Sequence, residues 1–339
     1  MKFRRFFTTI NHPQTKFMPN CLITTQIIGN LSCRIYKPLT IKEHSFNLIY
    51  YHGGGFCLFS PGDYDKLMVS FIEQFNCHII SLDYPLSPES VFPQAINETY
   101  NTTSIIMSSL GKYALDSEAN FVAGDSAGGC MVAVVTQTAA QQGHNWFKGQ
   151  ILIYPFLGSF NYQSPSYQQF PHFEYKSILS PRLMAEFVLI YLGVPCNKQN
   201  TDAILQSSSM VPTFDDNCPL NQFANDPLVS PVIANFNVLQ NVPSSLTLLA
   251  PNDVLKDEGL FYATNMKKAA QSKSDITHKV LMHQCMTHGE CSFSSQAIAD
   301  ITHAVSIWLT QIGTITSTKE KTDQVSNNNQ QYNRFQEII

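Results

Sequence analysis

The chain has 339 residues, 25 acidic and 21 basic side chains, and a formal charge of −4, with 44 % apolar and only 14 % charged residues. That length and composition suit a folded chain with a substantial core and exclude a mainly disordered one. A slightly acidic balance without a basic run argues against nucleic acid as the main partner, and no apolar stretch approaches the ~18 residues that would span a bilayer. The nine cysteines are odd in number and contain no C-x-x-C pair, so no disulfide framework is expected. The first 20 residues lack the apolar core of a secretory signal, and Phe6 and Phe7 alone are weak evidence of membrane contact, so a cytoplasmic location without stable membrane insertion is expected. The sequons at Asn30, Asn97 and Asn101 would matter only in a secreted chain.

Two β-like runs, 22–28 and 32–36, flank the turn pair Gly29-Asn30. An apolar strand at 46–51 stops at three glycines, a helical pattern covers 62–75, and 77–82 reads as a buried strand. A helix is predicted over 93–110, with Pro93 in its first turn, then a strand at 120–123 and a helix of small and β-branched residues at 127–142. Strands at 149–153, 246–250 and 277–282 and helices at 256–270 and 294–312 continue the alternation, which predicts an α/β fold with a mostly parallel sheet and helices on both faces. The alternation lapses from 159 to 242, an aromatic- and proline-rich stretch read as an inserted helical cap. Domain limits are therefore 1–45 for N-terminal strands and a short cap remnant, 46–158 with 243–313 for the core, and 159–242 for the cap. Residues 314–339, polar and including the low-complexity run 327–331, are expected to be a disordered tail.

The sharpest local pattern is Gly124-Asp125-Ser126-Ala127-Gly128, a G-x-S-x-G between a predicted strand and a predicted helix. Its glycines permit a sharp turn that exposes the serine at the helix start; the plainer reading is a Gly/Ser loop, which this strand–helix context disfavours. His52-Gly53-Gly54-Gly55 follows another strand, and bare glycines let backbone N–H groups face a pocket and an oxyanion. A phosphate loop is the competing reading, but neither G-K-[ST] nor G-x-G-x-x-G is present. A serine needs a base and the base an orienting acid, in the chain order Ser, Asp or Glu, His for an elbow of this kind. Asp253 stands at a predicted strand end and is preferred to Asp257 and Glu258, whose charges suit the following helix N-terminus. His288 lies in the loop after the last predicted strand, while His283 is still in strand register and reads as structural. His144 and His172 read as surface residues. His283, Cys285, His288 and Cys291 form a metal-capable cluster, but the paired spacing of a zinc site is missing, so no metal is expected.

HGGGF at residues 52–56, GDSAGG at 124–129, DVLKDEG at 253–259 and MTHGE at 286–290 resemble the hormone-sensitive-lipase-like branch of the α/β-hydrolases. So do the segments DYPLSPE at 83–89 and NDPLVSP at 225–231, and the likeness spans about 46–312 with its six motifs in order. The resemblance implies an α/β-hydrolase fold and hydrolysis of a small-molecule carboxylic ester without a cofactor. It implies Ser126 as nucleophile, Asp253 and His288 as triad partners, and the N–H groups of Gly53, Gly54 and Ala127 as oxyanion donors, with His52, Gly55, Gly124, Asp125 and Gly128 supporting them. Relatives often pair through the last strand and helix, which implies a possible homodimer. Pro85 replaces the family's arginine, and Glu290 stands where an aromatic residue usually follows the His-Gly pair. The same triad would serve an amidase, and a silent binding protein on this fold is the rival from another class.

Overall fold

The computed structural model describes residues 15–18, 20–40, 46–113, 119–315 and 334–339. Phe6, Phe7 and the run 327–331 lie outside the described residues. Among those described, ten strands form a single sheet. They are β1 (Thr15–Met18), β2 (Cys21–Ile28), β3 (Leu31–Pro38), β4 (Asn47–Tyr51), β5 (His78–Asp83), β6 (Asn120–Asp125), β7 (Gly149–Ile153), β8 (Ser244–Leu249), β9 (His278–His283) and β10 (Phe335–Glu337). Their spatial order is β1-β2-β3-β5-β4-β6-β7-β8-β9-β10. The six strands from β4 to β9 run parallel, whereas β1, β2 and β3 join antiparallel at one end and β10 at the other.

Alternation within each strand explains why the core has two layers. In β4 all five residues are buried, with Leu48 and Tyr50 packing on one face of the sheet and Ile49 and Tyr51 on the other. Helices α1 (Asp65–Phe75) and α9 (Ser295–Gln311) cover the first face. Helices α2 (Gln94–Ser108), α3 (Ala127–Gln141) and α8 (Lys256–Ala269) cover the second. A parallel sheet sandwiched in this way needs strands apolar on both sides, which these sequences supply.

Between β7 and β8 the described chain contains no strand. It holds the single turn α4 (Pro165–Gln168), α5 (Pro181–Leu192), α6 (Lys198–Gln206) and the short α7 (Phe236–Leu239). Local signals delimit α5 well: the Ser180 hydroxyl accepts from the Leu183 N–H at 3.1 Å, Pro181 opens the helix, and Gly193 ends it in the left-handed region at φ 70°. Phe160, Tyr162 and Phe173 are buried in the same cluster as the second face, so these aromatics fasten this segment to the sheet's helical layer.

Two expectations change at the ends. Strand β1 precedes the first predicted strand, and the segment expected to be a disordered tail contributes β10, whose Phe335 is buried against His283. Burial of that one aromatic, with antiparallel pairing to β9, orders residues that composition marks as polar. Near the middle, β4 lies between β5 and β6, so strand order reverses there. The carboxyl ends of β4 and β6 flank the crevice where ligands bind in open α/β sheets.

Candidate active site

Strand β6 ends at Asp125, α3 begins at Ala127, and Ser126 between them sits at φ 52°, ψ −120°. Non-glycine residues occupy such positive-φ conformations only when the surroundings hold them there. Here the Ser126 N–H donates to the Ile153 carbonyl at 3.0 Å, and the Ser126 carbonyl accepts from the Phe156 N–H at 2.9 Å. The end of β7 thus clamps the turn from both sides, leaving the side chain directed over the crevice.

Strands β8 and β9 supply the other two groups. Asn252 and Thr287 form an isolated parallel bridge, which draws the loop after β8 against the loop after β9. His288 Nε2 lies 2.8 Å from Ser126 Oγ, and His288 Nδ1 lies 2.8 Å from Asp253 Oδ2. The second Asp253 oxygen accepts from the Leu255 N–H at 3.0 Å, fixing the carboxylate plane. With a proton on Nδ1 facing the carboxylate, Nε2 is left as the acceptor for the serine hydroxyl. The Tyr154 ring, 4.8 Å from the imidazole, forms an apolar wall, and its hydroxyl accepts from the Cys291 N–H at 3.0 Å. Serine, histidine and aspartate are therefore in one continuous hydrogen-bonded line.

The alternatives are engaged elsewhere. Asp257 accepts from the Ser166 N–H at 2.7 Å, and Glu258 accepts from Leu157 and Ser159 at 2.6 and 3.2 Å. Burial holds the Glu258 carboxyl well above its usual range despite those two donors. Both side chains anchor the chain that follows β7 rather than pairing with His288. His283 pairs with Asp300, and the His144 ring stacks on Trp146 at 4.8 Å, while His172 is exposed. Glu290 accepts from the Thr287 N–H at 3.0 Å and so shapes the histidine loop. Among the described residues no group of three or more His, Cys, Asp and Glu is arranged to hold a metal, and His283 and His288 face Asp300 and Ser126 respectively. All nine cysteines are free thiols.

The glycine loop requires a correction to the expected donors. The Gly53 N–H points inward, donating to Asp125 Oδ1 at 2.8 Å and to the Tyr64 hydroxyl at 3.1 Å, so it is spent on the fold. Asp125 also accepts from the Tyr50 and Tyr64 hydroxyls at 2.8 and 3.0 Å. Its carboxyl is fully buried, and burial raises its pKa against the pull of these donors. The next residue, Gly54, has φ 113°, and a Cβ there would fall 2.3 Å from the Leu58 carbonyl oxygen, so only glycine fits. No hydrogen bond among the described residues occupies the N–H groups of Gly54 and Gly55. Ala127, at the first position of α3, offers an N–H that the helix itself leaves without a partner. His52 packs beneath this loop with Tyr84 stacked on its ring at 4.3 Å, and burial lowers its pKa to about 4. Tyr50, Tyr64 and Tyr84 escaped sequence reading, because tyrosines in apolar runs carry no local sign of which polar group they will meet.

The segment between β7 and β8 approaches the glycine and histidine loops at two points. A Cβ on Gly55 would meet the Phe187 ring of α5 at 2.6 Å, and one on Gly289 would meet Ile178 at 2.9 Å. Apolar side chains therefore approach on the glycine-loop side and on the histidine side of Ser126.

The chain is similar to several known proteins. A family described as the alpha/beta hydrolase fold matches residues 48–214. The chain is similar to neutral cholesterol ester hydrolase 1 of Rattus norvegicus, at 29 % identity over 312 residues covering 79 % of this chain and 74 % of that one. It is likewise similar to arylacetamide deacetylase of Mus musculus, at 29 % identity over 272 residues covering 69 % and 67 %. Among solved structures, an esterase of Pyrobaculum calidifontis aligns with a TM-score of 0.67 and 28 % identity, covering 88 % of this chain and 87 % of the other.

Proposed function

We propose that the chain is a carboxylic ester hydrolase of the hormone-sensitive-lipase-like α/β-hydrolases and that it cleaves short- to medium-chain acyl esters through an acyl-enzyme on Ser126. The observation that carries this reading is the continuous line from Ser126 Oγ through His288 to Asp253, with 2.8 Å at each step. His288 Nε2 takes the hydroxyl proton as Oγ attacks the ester carbonyl, and Asp253 stabilises the imidazolium that forms. The carbonyl oxygen becomes an oxyanion facing the N–H groups of Gly54, Gly55 and Ala127, each worth about 3 kcal/mol in the transition state. Collapse returns the proton to the leaving alcohol, and water then cleaves the acyl-enzyme by the same steps in reverse. Phe187 beside Gly55 and Ile178 beside Gly289 are apolar and support an uncharged acyl or alcohol moiety.

The test is hydrolysis of p-nitrophenyl esters from acetate to palmitate by the wild type and by Ser126→Ala. Turnover of short or medium chains that falls at least about 10³-fold in the variant supports the assignment. A folded wild type that is inert towards the whole series overturns it. The likeness to a protein named arylacetamide deacetylase favours amide cleavage as the second reading, so p-nitroacetanilide belongs in the same series.

A further inference from the structure

We propose that His283 is a positioning residue for His288, acting through the turn that joins them; the inference rests on His288 being the general base. After β9 the chain must reverse within a few residues to carry His288 over Ser126. That reversal leaves the N–H groups of Cys285 and Met286 pointing inward, and His283 Nδ1 accepts both, at 3.1 and 2.6 Å. A nitrogen that accepts two backbone donors carries no proton, so the ring's proton sits on Nε2. Nε2 lies 3.0 Å from Asp300 Oδ2, a buried carboxylate of α9 whose other oxygen accepts from Gln296 at 2.9 Å. The edge of Phe335 from β10 packs on the ring at 4.7 Å and 78°.

The molecule therefore uses one device twice. Asp253 holds the proton on Nδ1 of His288 so that Nε2 faces the serine. Asp300 holds the proton on Nε2 of His283 so that Nδ1 faces the turn. Beyond the turn, the histidine loop is tied down by the Thr287–Glu290 hydrogen bond, the Asn252–Thr287 bridge and the Cys291–Tyr154 hydrogen bond. On the strand side the Gln284 N–H donates to the Arg334 carbonyl at 2.8 Å, and His283 ties the next two residues; releasing His283 loosens one end of the segment that holds the imidazole 2.8 Å from Ser126.

Two near-isosteric substitutions separate the halves of this device. In His283→Asn the amide oxygen replaces Nδ1 as acceptor for the turn, while the contact with Asp300 is lost. In His283→Gln the amide reaches Asp300 but leaves the two N–H groups without an acceptor. The expected result is a 10–100-fold lower kcat for His283→Gln, with KM within about twofold, and a kcat within about fivefold of wild type for His283→Asn. The rate of Ser126 labelling by a fluorophosphonate should follow kcat, and the downfield proton of the His288–Asp253 hydrogen bond should broaden or shift in the Gln variant only. Wild-type kcat in His283→Gln overturns the proposal, as does an equal loss of kcat and melting temperature in both variants. The downfield proton needs no turnover: if the wild type cleaves no ester, its persistence unchanged in His283→Gln refutes the positioning role, separately from the failure of the esterase reading.

Discussion

Substituting alanine for Gly128 tests the packing that brings the serine and the glycine loop together. A Cβ at this position would lie 1.9 Å from the Tyr51 carbonyl oxygen, 2.6 Å from its carbon and 2.8 Å from the His52 carbonyl oxygen. Real Cβ atoms essentially never come within 3.0 Å of such neighbours, so something must shift by roughly 1 Å. All three atoms are main chain, so no side chain can rotate away, and either α3 or the end of β4 has to move. Overpacking of a tight core typically costs about 1–3 kcal/mol, and an all-backbone clash belongs at the upper end. The same displacement separates Ser126 and Ala127 on α3 from Gly54 and Gly55 after β4. Oxyanion donors act over about 2.7–3.1 Å, and misplacement by about 1 Å lowers kcat roughly 10²-fold. Urea unfolding and p-nitrophenyl butyrate hydrolysis measure the two effects, with Gly111→Ala as control because a Cβ there meets nothing within 4 Å. If Gly128→Ala keeps an unchanged unfolding midpoint and a kcat within twofold of wild type, the close approach of α3 to β4 is refuted.

Two further outcomes follow from the geometry. Asp253→Asn presents an N–H to His288 Nδ1, favouring the tautomer with its proton on Nε2; kcat should fall about 10⁴-fold with little change in KM, and a loss under tenfold would contradict the orienting role. His278, with an ordinary pKa of 6.5, is lowered to about 4, first by burial and then by the nearby charge of Lys267. The unfolded chain takes up this proton as pH falls through about 6.5 while the folded protein resists it until about 4, so stability present at neutral pH is lost on acidification. Between pH 7 and pH 5 the loss from this one group is about 2 kcal/mol, and His278→Phe should flatten the pH dependence of urea unfolding by that amount. Parallel pH profiles for wild type and variant would exclude the effect.

The parts of the site carried by local chemistry were legible in the sequence. Ser126 stands in a strand–turn–helix pattern that few other arrangements require, and Asp253 and His288 follow late strands in the required order. The candidate oxyanion donors were not fully legible, because the direction of a backbone N–H depends on what receives it. Gly53 faces inward because Asp125, 72 positions later in the chain, is buried beneath it, and nothing local to the three glycines distinguishes the first from the others. His283 was read as structural from strand register, which hid its two acceptor bonds to the turn ahead. Strand β10 was illegible for a different reason: its stability comes from the edge of β9 and one buried phenylalanine, whereas its composition is that of a solvated segment.

That edge has a consequence for how molecules meet one another. Antiparallel pairing puts Phe335, Gln336 and Glu337 opposite His283, Met282 and Leu281, the Ile338 N–H donates to the Val280 carbonyl, and Glu337 pairs with Lys279 at 2.9 Å. The polar backbone of β9 is thereby satisfied within the same chain. A molecule shortened before Arg334 would present the bare edge of a strand carrying Val280, Leu281 and Met282, a template for strand addition by a neighbour. Because β9 leads directly into the histidine loop, clipping of the tail would link two failures, self-association and inactivation, that are usually assigned to separate causes.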